Sequence, residues 1–83
     1  MVGITKYYAS LLGQYNIRCN CLSPGGVFNN QPKKFVNKLR YLIPLNRMAK
    51  KNEYIGAIQF LASDATKYMT GHNLIIDGGR SII

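Results

Sequence analysis

The residue types in this 83-residue chain that could take part in chemistry are concentrated in one segment, Ser-Pro-Gly-Gly-Val-Phe-Asn at positions 23–29. Its glycines would let the backbone approach a ligand closely, and exposed backbone N–H and C=O groups can bind a carboxamide. A Pro-Gly-Gly sequence is also an ordinary way to end a strand, because both residue types interrupt regular structure. Taken alone, these residues favour the plain strand end over a ligand loop.

The remaining polar residues form no recognisable catalytic or metal-binding group. The only acidic residues are Glu53, Asp64 and Asp77, and each lies where a helix cap or a turn residue is expected. The single histidine, His72, has no partner at a useful spacing, so we interpret it as a turn residue. No tyrosine precedes a lysine by four positions, and no Gly-x-x-x-Gly-x-Gly phosphate loop is present. We therefore predict no catalytic residue and no metal site within these residues.

The two cysteines, Cys19 and Cys21, are separated by one residue. In a strand this spacing puts both side chains on one face, where they would act as small apolar groups. The spacing fits neither the Cys-x-x-Cys redox motif nor half of a zinc site, since the only histidine is distant. We expect buried free thiols in a reducing compartment.

The net charge of +8 is the one unusual bulk property, with eleven Lys and Arg against three acids. The basic residues are scattered, and the only dense pairs, at 33–34 and 50–51, lie beside predicted helix starts. We interpret them as solvated surface and expect no nucleic-acid or membrane partner; nucleic-acid binding, the alternative, would give salt-dependent retention on DNA.

Hydrophobic residues make up 47% of the chain and its mean hydropathy is -0.08, as in ordinary globular domains. No apolar run approaches the roughly 18 residues that a membrane span needs. The N-terminus lacks the basic, apolar and small-residue order of a secretory signal. We expect a soluble, cytoplasmic protein.

The elements that would position segment 23–29 follow the order α-β-α-α-β. Periodicity predicts a helix over 1–14, a strand over 17–22, a helix from about 32 to 42, a helix capped by Asn52, and a strand over 73–77. Two strands joined by a long helical connection imply a parallel α/β sheet. Because parallel strands are normally flanked by further strands, two alone make a poor sheet. The chain is predicted to be incomplete as a domain.

Four sequence motifs, in the right order and with the right gaps, carry a resemblance to a known family. They are Asn-Ile-Arg-Cys-Asn-Cys-Leu-Ser-Pro-Gly at 16–25, Pro-Leu-Asn-Arg-Met at 44–48, Phe-Leu-Ala-Ser-Asp-Ala at 60–65, and Thr-Gly-His-Asn-Leu-Ile-Ile-Asp-Gly-Gly at 70–79. These resemble the corresponding motifs of the short-chain dehydrogenases/reductases. Asn46 and Lys51 depart from that family's usual Gly and Pro.

The resemblance implies that residues 1–83 are the C-terminal portion of one NAD(P)-binding, Rossmann-like, doubly wound parallel sheet. It implies hydride transfer between NAD or NADP and a carbonyl or alcohol. The family's catalytic Tyr and Lys are then expected just upstream of Met1, since residues 1–6 resemble the helix that follows that Lys. The chain alone is expected to be inactive.

The resemblance also implies roles for individual residues. Pro24, Gly25 and Val27 resemble the residues whose backbone contacts the nicotinamide, and Asn29 stands where many relatives carry a Thr near the pyrophosphate. Residues 30–43 match the family's substrate lid.

Partners follow from the same resemblance. The full-length protein is expected to act on a small-molecule substrate as a homo-oligomer, a tetramer or dimer. The run from Ser23 to Pro32 also resembles members linked to surface-sugar biosynthesis. An alternative is a non-catalytic fragment that associates through residues 52–77, which commonly build subunit interfaces in the family.

Overall fold

The computed structural model describes residues 1–83, and its helices and strands follow the predicted order α-β-α-α-β. The helices and strands are α1 (Val2–Leu12), β1 (Cys21–Pro24), α2 (Lys33–Arg40), α3 (Ile55–Ala62) and β2 (Asn73–Ile76). Short 3-10 turns extend α1, precede and follow α3, and end the chain; they are Gly13–Tyr15, Lys51–Tyr54, Asp64–Thr66 and Arg80–Ile82.

The two strands pair in parallel, as predicted, with Cys21 opposite Asn73 and Pro24 opposite Ile76. Parallel strands require a crossover connection, and here that connection carries α2 and α3. Both strands therefore end at the same edge of the sheet, which brings the segment after Pro24 next to the segment after Ile76.

The second edge of β1 has no strand beside it. The N–H groups of Cys21 and Gly25 donate to carbonyl oxygens of the β2 segment at 2.8 and 3.0 Å. Because the backbone alternates sides along a strand, Leu22 and Pro24 turn their main-chain groups toward the open edge. Proline is tolerated at that position because its missing N–H removes no bond to β2.

The core is small, as expected for an incomplete domain. Only seven of the 83 residues are buried, and the apolar ones are Ala9, Cys21, Ile43, Met48 and Tyr54. The radius of gyration is 15.4 Å, whereas a compact domain of this length would have roughly 12 Å. None of the helices combines the length and the apolar character required to cross a bilayer.

Helix α1 confirms the predicted first helix, but its apolar stripe is largely uncovered. Ile4, Tyr8 and Leu11 are 60%, 46% and 46% exposed, while Thr5 and Ala9 on the neighbouring face are buried. The helix passes into a 3-10 turn that ends at Asn16, whose left-handed conformation (φ 61°) turns the chain toward the sheet.

The prediction for β1 was wrong at both ends, since the strand is Cys21–Pro24 and not 17–22. Residues before Cys21 are extended but bond to a loop and not to a strand. Cys19 accepts a hydrogen bond from the Gly71 N–H at 2.8 Å and donates its own N–H to the Thr70 hydroxyl at 3.1 Å. An alternating sequence pattern does not distinguish an extended segment of this kind from a strand of the sheet. Both cysteines are free, but Cys19 is only half-buried because this segment lies outside the sheet.

Arg18 joins the start of this segment to the end of α3. Its guanidinium donates to the hydroxyl of Thr66 at 3.1 Å and to the carbonyl oxygens of Met69 and Leu61, each at 3.2 Å. Leu61 lies in the last turn of α3, where carbonyl groups have no partner within the helix. Arg18 thus fixes the helical connection against the sheet.

Candidate functional site

The ends of the two strands approach so closely that only glycine fits at position 25. A Cβ added to Gly25 would lie 2.8 Å from both the Cα and the Cβ of Asp77. The Gly25 N–H donates to the Ile76 carbonyl at 3.0 Å. The glycine is therefore required by the approach of two backbones, and it sets the direction in which the following loop leaves the sheet.

Tyr54, just before α3, forms hydrogen bonds to both strand ends at this junction. Its hydroxyl donates to the Ile76 carbonyl at 3.0 Å and lies 3.2 Å from the Gly25 nitrogen, from which it accepts a bond. The ring is buried. The sequence predicted Tyr54 only as part of a helix face, because periodicity does not show where a hydroxyl bonds.

After Gly25 the loop pairs with the segment that follows the Pro-Leu-Asn-Arg-Met motif. Gly26 accepts from the Ala49 N–H at 2.9 Å, and Phe28 donates to the Ala49 carbonyl at 2.8 Å. This parallel bridge between Val27 and Ala49 turns the main-chain groups of Val27 to the opposite side. The Val27 N–H donates no hydrogen bond within the chain.

The amide of Gln31 closes the loop. Its Nε2 donates to the Val27 carbonyl at 3.1 Å, and its Oε1 accepts from the Asn29 N–H at 2.7 Å. Asn30, between Asn29 and Gln31, adopts a left-handed conformation with φ 57°. The Asn29 side chain is exposed and makes no hydrogen bond within the chain.

An ion pair stands beside the loop. Arg47 makes two bonds to the Glu53 carboxylate, at 2.6 and 2.9 Å, and Glu53 also accepts from the Lys50 N–H at 2.8 Å. The bond from Arg47, and to a smaller extent the one from the Lys50 N–H, lowers the pKa of Glu53 to about 2. Lys50, not Asn52, is thus the residue at which the turn before α3 begins. The predicted cap was wrong because Glu53 supplies the capping carboxylate.

On the β2 side, Asp77 holds the final turn, as predicted for a turn residue. Its carboxylate accepts from the N–H groups of Gly79 and Ser81 at 2.9 and 3.0 Å. The Ser81 hydroxyl, and then these backbone groups, lower its pKa. Gly78 and Gly79 have φ of 66° and 95°, a region that glycine enters without cost.

The four residues predicted to bind the cofactor, Pro24, Gly25, Val27 and Asn29, follow one another along the chain at the edge of the sheet where both strands end. Pro24 and Asn29 are exposed, while Gly25 and Val27 are half-buried. A cavity of about 110 Å³ opens beside Gly25, between Tyr54 and Asp77. The unpaired Val27 N–H and the free Asn29 amide are polar groups that could face a ligand. The bonds of Gln31 to the Val27 and Asn29 backbone, and of Tyr54 to Gly25, were missed by sequence reasoning, since neither residue belongs to a recognisable local motif.

Comparison with known proteins identifies the chain. Residues 1–81 match the family model described as Enoyl-(Acyl carrier protein) reductase. The chain is 37% identical to D-arabinitol 2-dehydrogenase (ribulose-forming) of Candida tropicalis, over 95% of this chain and 31% of that protein. It is 40% identical to the 3-oxoacyl-[acyl-carrier-protein] reductase of Thermotoga maritima, over 95% of this chain and 34% of that one.

The fold is also that of solved structures. A short-chain dehydrogenase from Leptospira borgpetersenii, crystallised with bound NAD+, superposes with a TM-score of 0.93 and 44% identity, over 96% of this chain and 32% of that one. The chain belongs to the short-chain dehydrogenase/reductase family and has the fold of part of its Rossmann-like domain. It spans about a third of the length of the relatives that it matches.

Proposed function

We propose that this chain forms the nicotinamide-side wall of an NAD(P)-dependent oxidoreductase, with the catalytic Tyr and Lys outside residues 1–83. The observation that carries the proposal is the junction at Gly25. There two strand ends meet without room for a side chain, and the loop that leaves them turns the unpaired Val27 N–H outward. In open α/β sheets ligands bind outside the carboxyl ends of the strands, which is where this loop lies.

The residues present suit the nicotinamide end of the cofactor. The outward N–H of Val27 can donate to a carboxamide oxygen, and the exposed amide of Asn29 can reach a phosphate oxygen. When bound, NAD or NADP would supply or accept the hydride; the chain itself would orient the nicotinamide ring and exclude water from one side of it. Binding of NAD+ by the Leptospira relative supports this assignment.

Residues 30–43 are the proposed substrate lid. Within them α2 carries Phe35, which is 51% exposed, while Ile43 at the far end is buried. A lid needs one anchored end and one exposed part, and here Ile43 supplies the anchored end and α2 the exposed part. Gly26 lies beside the last turn of α2, where an added Cβ would be 3.1 Å from Leu39.

The substrate is proposed to be a small hydroxylated or oxo compound, with a surface-sugar precursor as the specific candidate. The D-arabinitol dehydrogenase among the relatives supports a polyhydroxylated substrate. We propose that the full-length protein is a cytoplasmic homo-oligomer, a dimer or tetramer.

The test is a graft in which residues 1–83 replace the matching third of the Leptospira dehydrogenase. The chain alone is expected to show no micromolar binding of NADH or NADPH, because it lacks a glycine-rich phosphate loop. The graft is expected to bind NADH, detected by fluorescence, with an affinity within about tenfold of its parent. A folded graft that binds no cofactor, or micromolar binding by the chain alone, contradicts the proposal.

A second candidate function is non-catalytic association through residues 52–77. Three apolar side chains of α3 support it, since Ile55, Ile58 and Phe60 are 54%, 58% and 44% exposed, and Ile75 of β2 is 49% exposed. Ile55 and Ile58, three residues apart, lie on one face of α3, and exposed apolar surface of this kind favours a protein interface. Analytical ultracentrifugation tests it: a monodisperse monomer at high concentration would contradict association.

A further inference from the structure

Gln31 is the one side chain that bonds to the loop 27–29. Its primary amide accepts from the Asn29 N–H at 2.7 Å and donates to the Val27 carbonyl at 3.1 Å. The two bonds close a ring around Phe28 and Asn30. Phe28 is 44% exposed, so packing alone holds little of this ring, and the hydrogen bonds have to fix its geometry.

The loop has a conformational cost that these bonds offset. Asn30 has φ 57°, a left-handed conformation that non-glycine residues adopt with some strain, although Asn tolerates it better than most. Without the amide of Gln31, relaxation of Asn30 would rotate the peptide groups next to it. Asn29, whose N–H is bonded by Gln31, would then lose its fixed position, whereas the peptide group that carries the Val27 N–H stays bonded to the Ala49 N–H at 2.9 Å.

Gln31 also connects the loop to α2. The next residue, Pro32, precedes the first helical residue, Lys33, and accepts the N–H of Val36 at 3.1 Å. The residue that closes the loop thus directly precedes the residue at which α2 is capped.

We propose that Gln31 is a positioning residue, which fixes the Asn29 backbone for the nicotinamide half of the cofactor, next to the Val27 N–H that the bridge to Ala49 already holds. The inference rests on the proposed cofactor function of this loop. Gln31 acts through the two backbone groups that it bonds and need not touch the cofactor. Removal of its amide should therefore weaken cofactor binding more than it affects the fold.

The variants that test this separate hydrogen bonding from packing. Gln31→Met keeps the length of the side chain and removes both bonds, whereas Gln31→Glu keeps the acceptor for the Asn29 N–H and replaces the donor to the Val27 carbonyl by a charged carboxylate oxygen. The matched control is Gln14→Met, since Gln14 makes one exposed bond, to the Leu11 carbonyl at 3.3 Å, on α1. All three are made in the graft and in the 83-residue chain.

In the graft, Gln31→Met is expected to raise the Kd and the KM for NADH about tenfold, the equivalent of about 1.4 kcal/mol, and to lower the unfolding free energy by less than that. The kcat at saturating NADH should change less than KM. Gln31→Glu should recover none of the loss, because its second carboxylate oxygen repels the Val27 carbonyl, and Gln14→Met should behave as the unmutated graft. In the chain alone, the Val27 and Asn29 amide signals should shift with nicotinamide mononucleotide at millimolar concentration, and the Asn29 shift should be smaller after Gln31→Met.

The contradicting results are distinct. An unmutated graft that binds NADH, together with a Gln31→Met graft that binds it equally well, overturns the positioning role and leaves the cofactor site standing. A urea midpoint that falls in step with the affinity shows general destabilisation and also overturns it. No NADH binding by the unmutated graft overturns both proposals together.

Discussion

Substitution of Gly25 by alanine tests whether the junction of the two strand ends is as tight as the structure has it. The new Cβ would lie 2.8 Å from the Cα and the Cβ of Asp77 and 3.3 Å from its carbonyl oxygen. Two of these three atoms are backbone, so the strain cannot be relieved by rotation of a flexible side chain. One strand end must move, which would lengthen the Gly25–Ile76 hydrogen bond, now 3.0 Å.

The expected cost is about 2 kcal/mol of unfolding free energy, in the range measured for overpacked sites. Urea denaturation of the graft, followed by far-UV circular dichroism, measures it. The matched control is Gly56→Ala, because Gly56 lies inside α3 with nothing within 4 Å of an added Cβ. Alanine there should stabilise the graft by about 0.5–1 kcal/mol through helix propensity. A Gly25→Ala variant as stable as the unmutated graft would refute the reasoning.

Substitutions at three further residues probe the supports of the site by the same urea assay. Arg18→Ala should lower the unfolding free energy by about 2–3 kcal/mol, since the acceptors it bonds lose a charged donor, and Arg18→Lys should restore less than half, because an ammonium lacks the planar fork. Tyr54→Phe should cost about 1 kcal/mol through loss of one bridging hydroxyl. Glu53→Gln should lower the urea midpoint at neutral pH, and its difference from the unmutated graft should shrink as pH falls from about 4.5 toward about 2.

The sign of the Glu53 effect follows from the direction of its pKa shift. The folded-state pKa lies near 2, below the ordinary value of 4.5, so the stabilisation is present above 4.5 and is lost as pH falls through the folded-state value. Both partners are substantially exposed, so salt should also reduce the difference. Each contact has its own contradicting result. For the ion pair it is a Glu53→Gln stability difference that persists unchanged at pH 2. For the other two contacts it is an Arg18→Ala or a Tyr54→Phe variant whose stability is unchanged.

The sequence predicted the elements where a periodic pattern or a turn residue decides the outcome. Strand β2 ends one residue before the predicted residue 77, because Asp77 bonds the turn and leaves the ladder. The first strand was misplaced because residues before Cys21 alternate like a strand but bond to the loop at Thr70 and Gly71. Only tertiary contacts separate the two cases.

The candidate site was predictable in position but not in detail. The Ser-Pro-Gly-Gly segment and the strand order place Gly25 and Val27 at the sheet edge, as the structure shows. The contacts that hold them come from Tyr54, 29 residues away along the chain from Gly25, and from Gln31, whose bonds lie inside a loop. Neither contact leaves a periodic trace in the sequence.

The central claim is that the Val27 loop receives the nicotinamide end of the cofactor. The most direct measurement is the amide signal of Val27 in the 15N-labelled graft as NAD+ is added, compared with adenosine diphosphate ribose, which lacks the nicotinamide. The account predicts a shift of Val27 with NAD+ and a much smaller one with the truncated ligand, while Asn29, assigned to a phosphate, shifts with both. Equal shifts of Val27 with both ligands, or no shift at Val27 while NAD+ is bound, would contradict it.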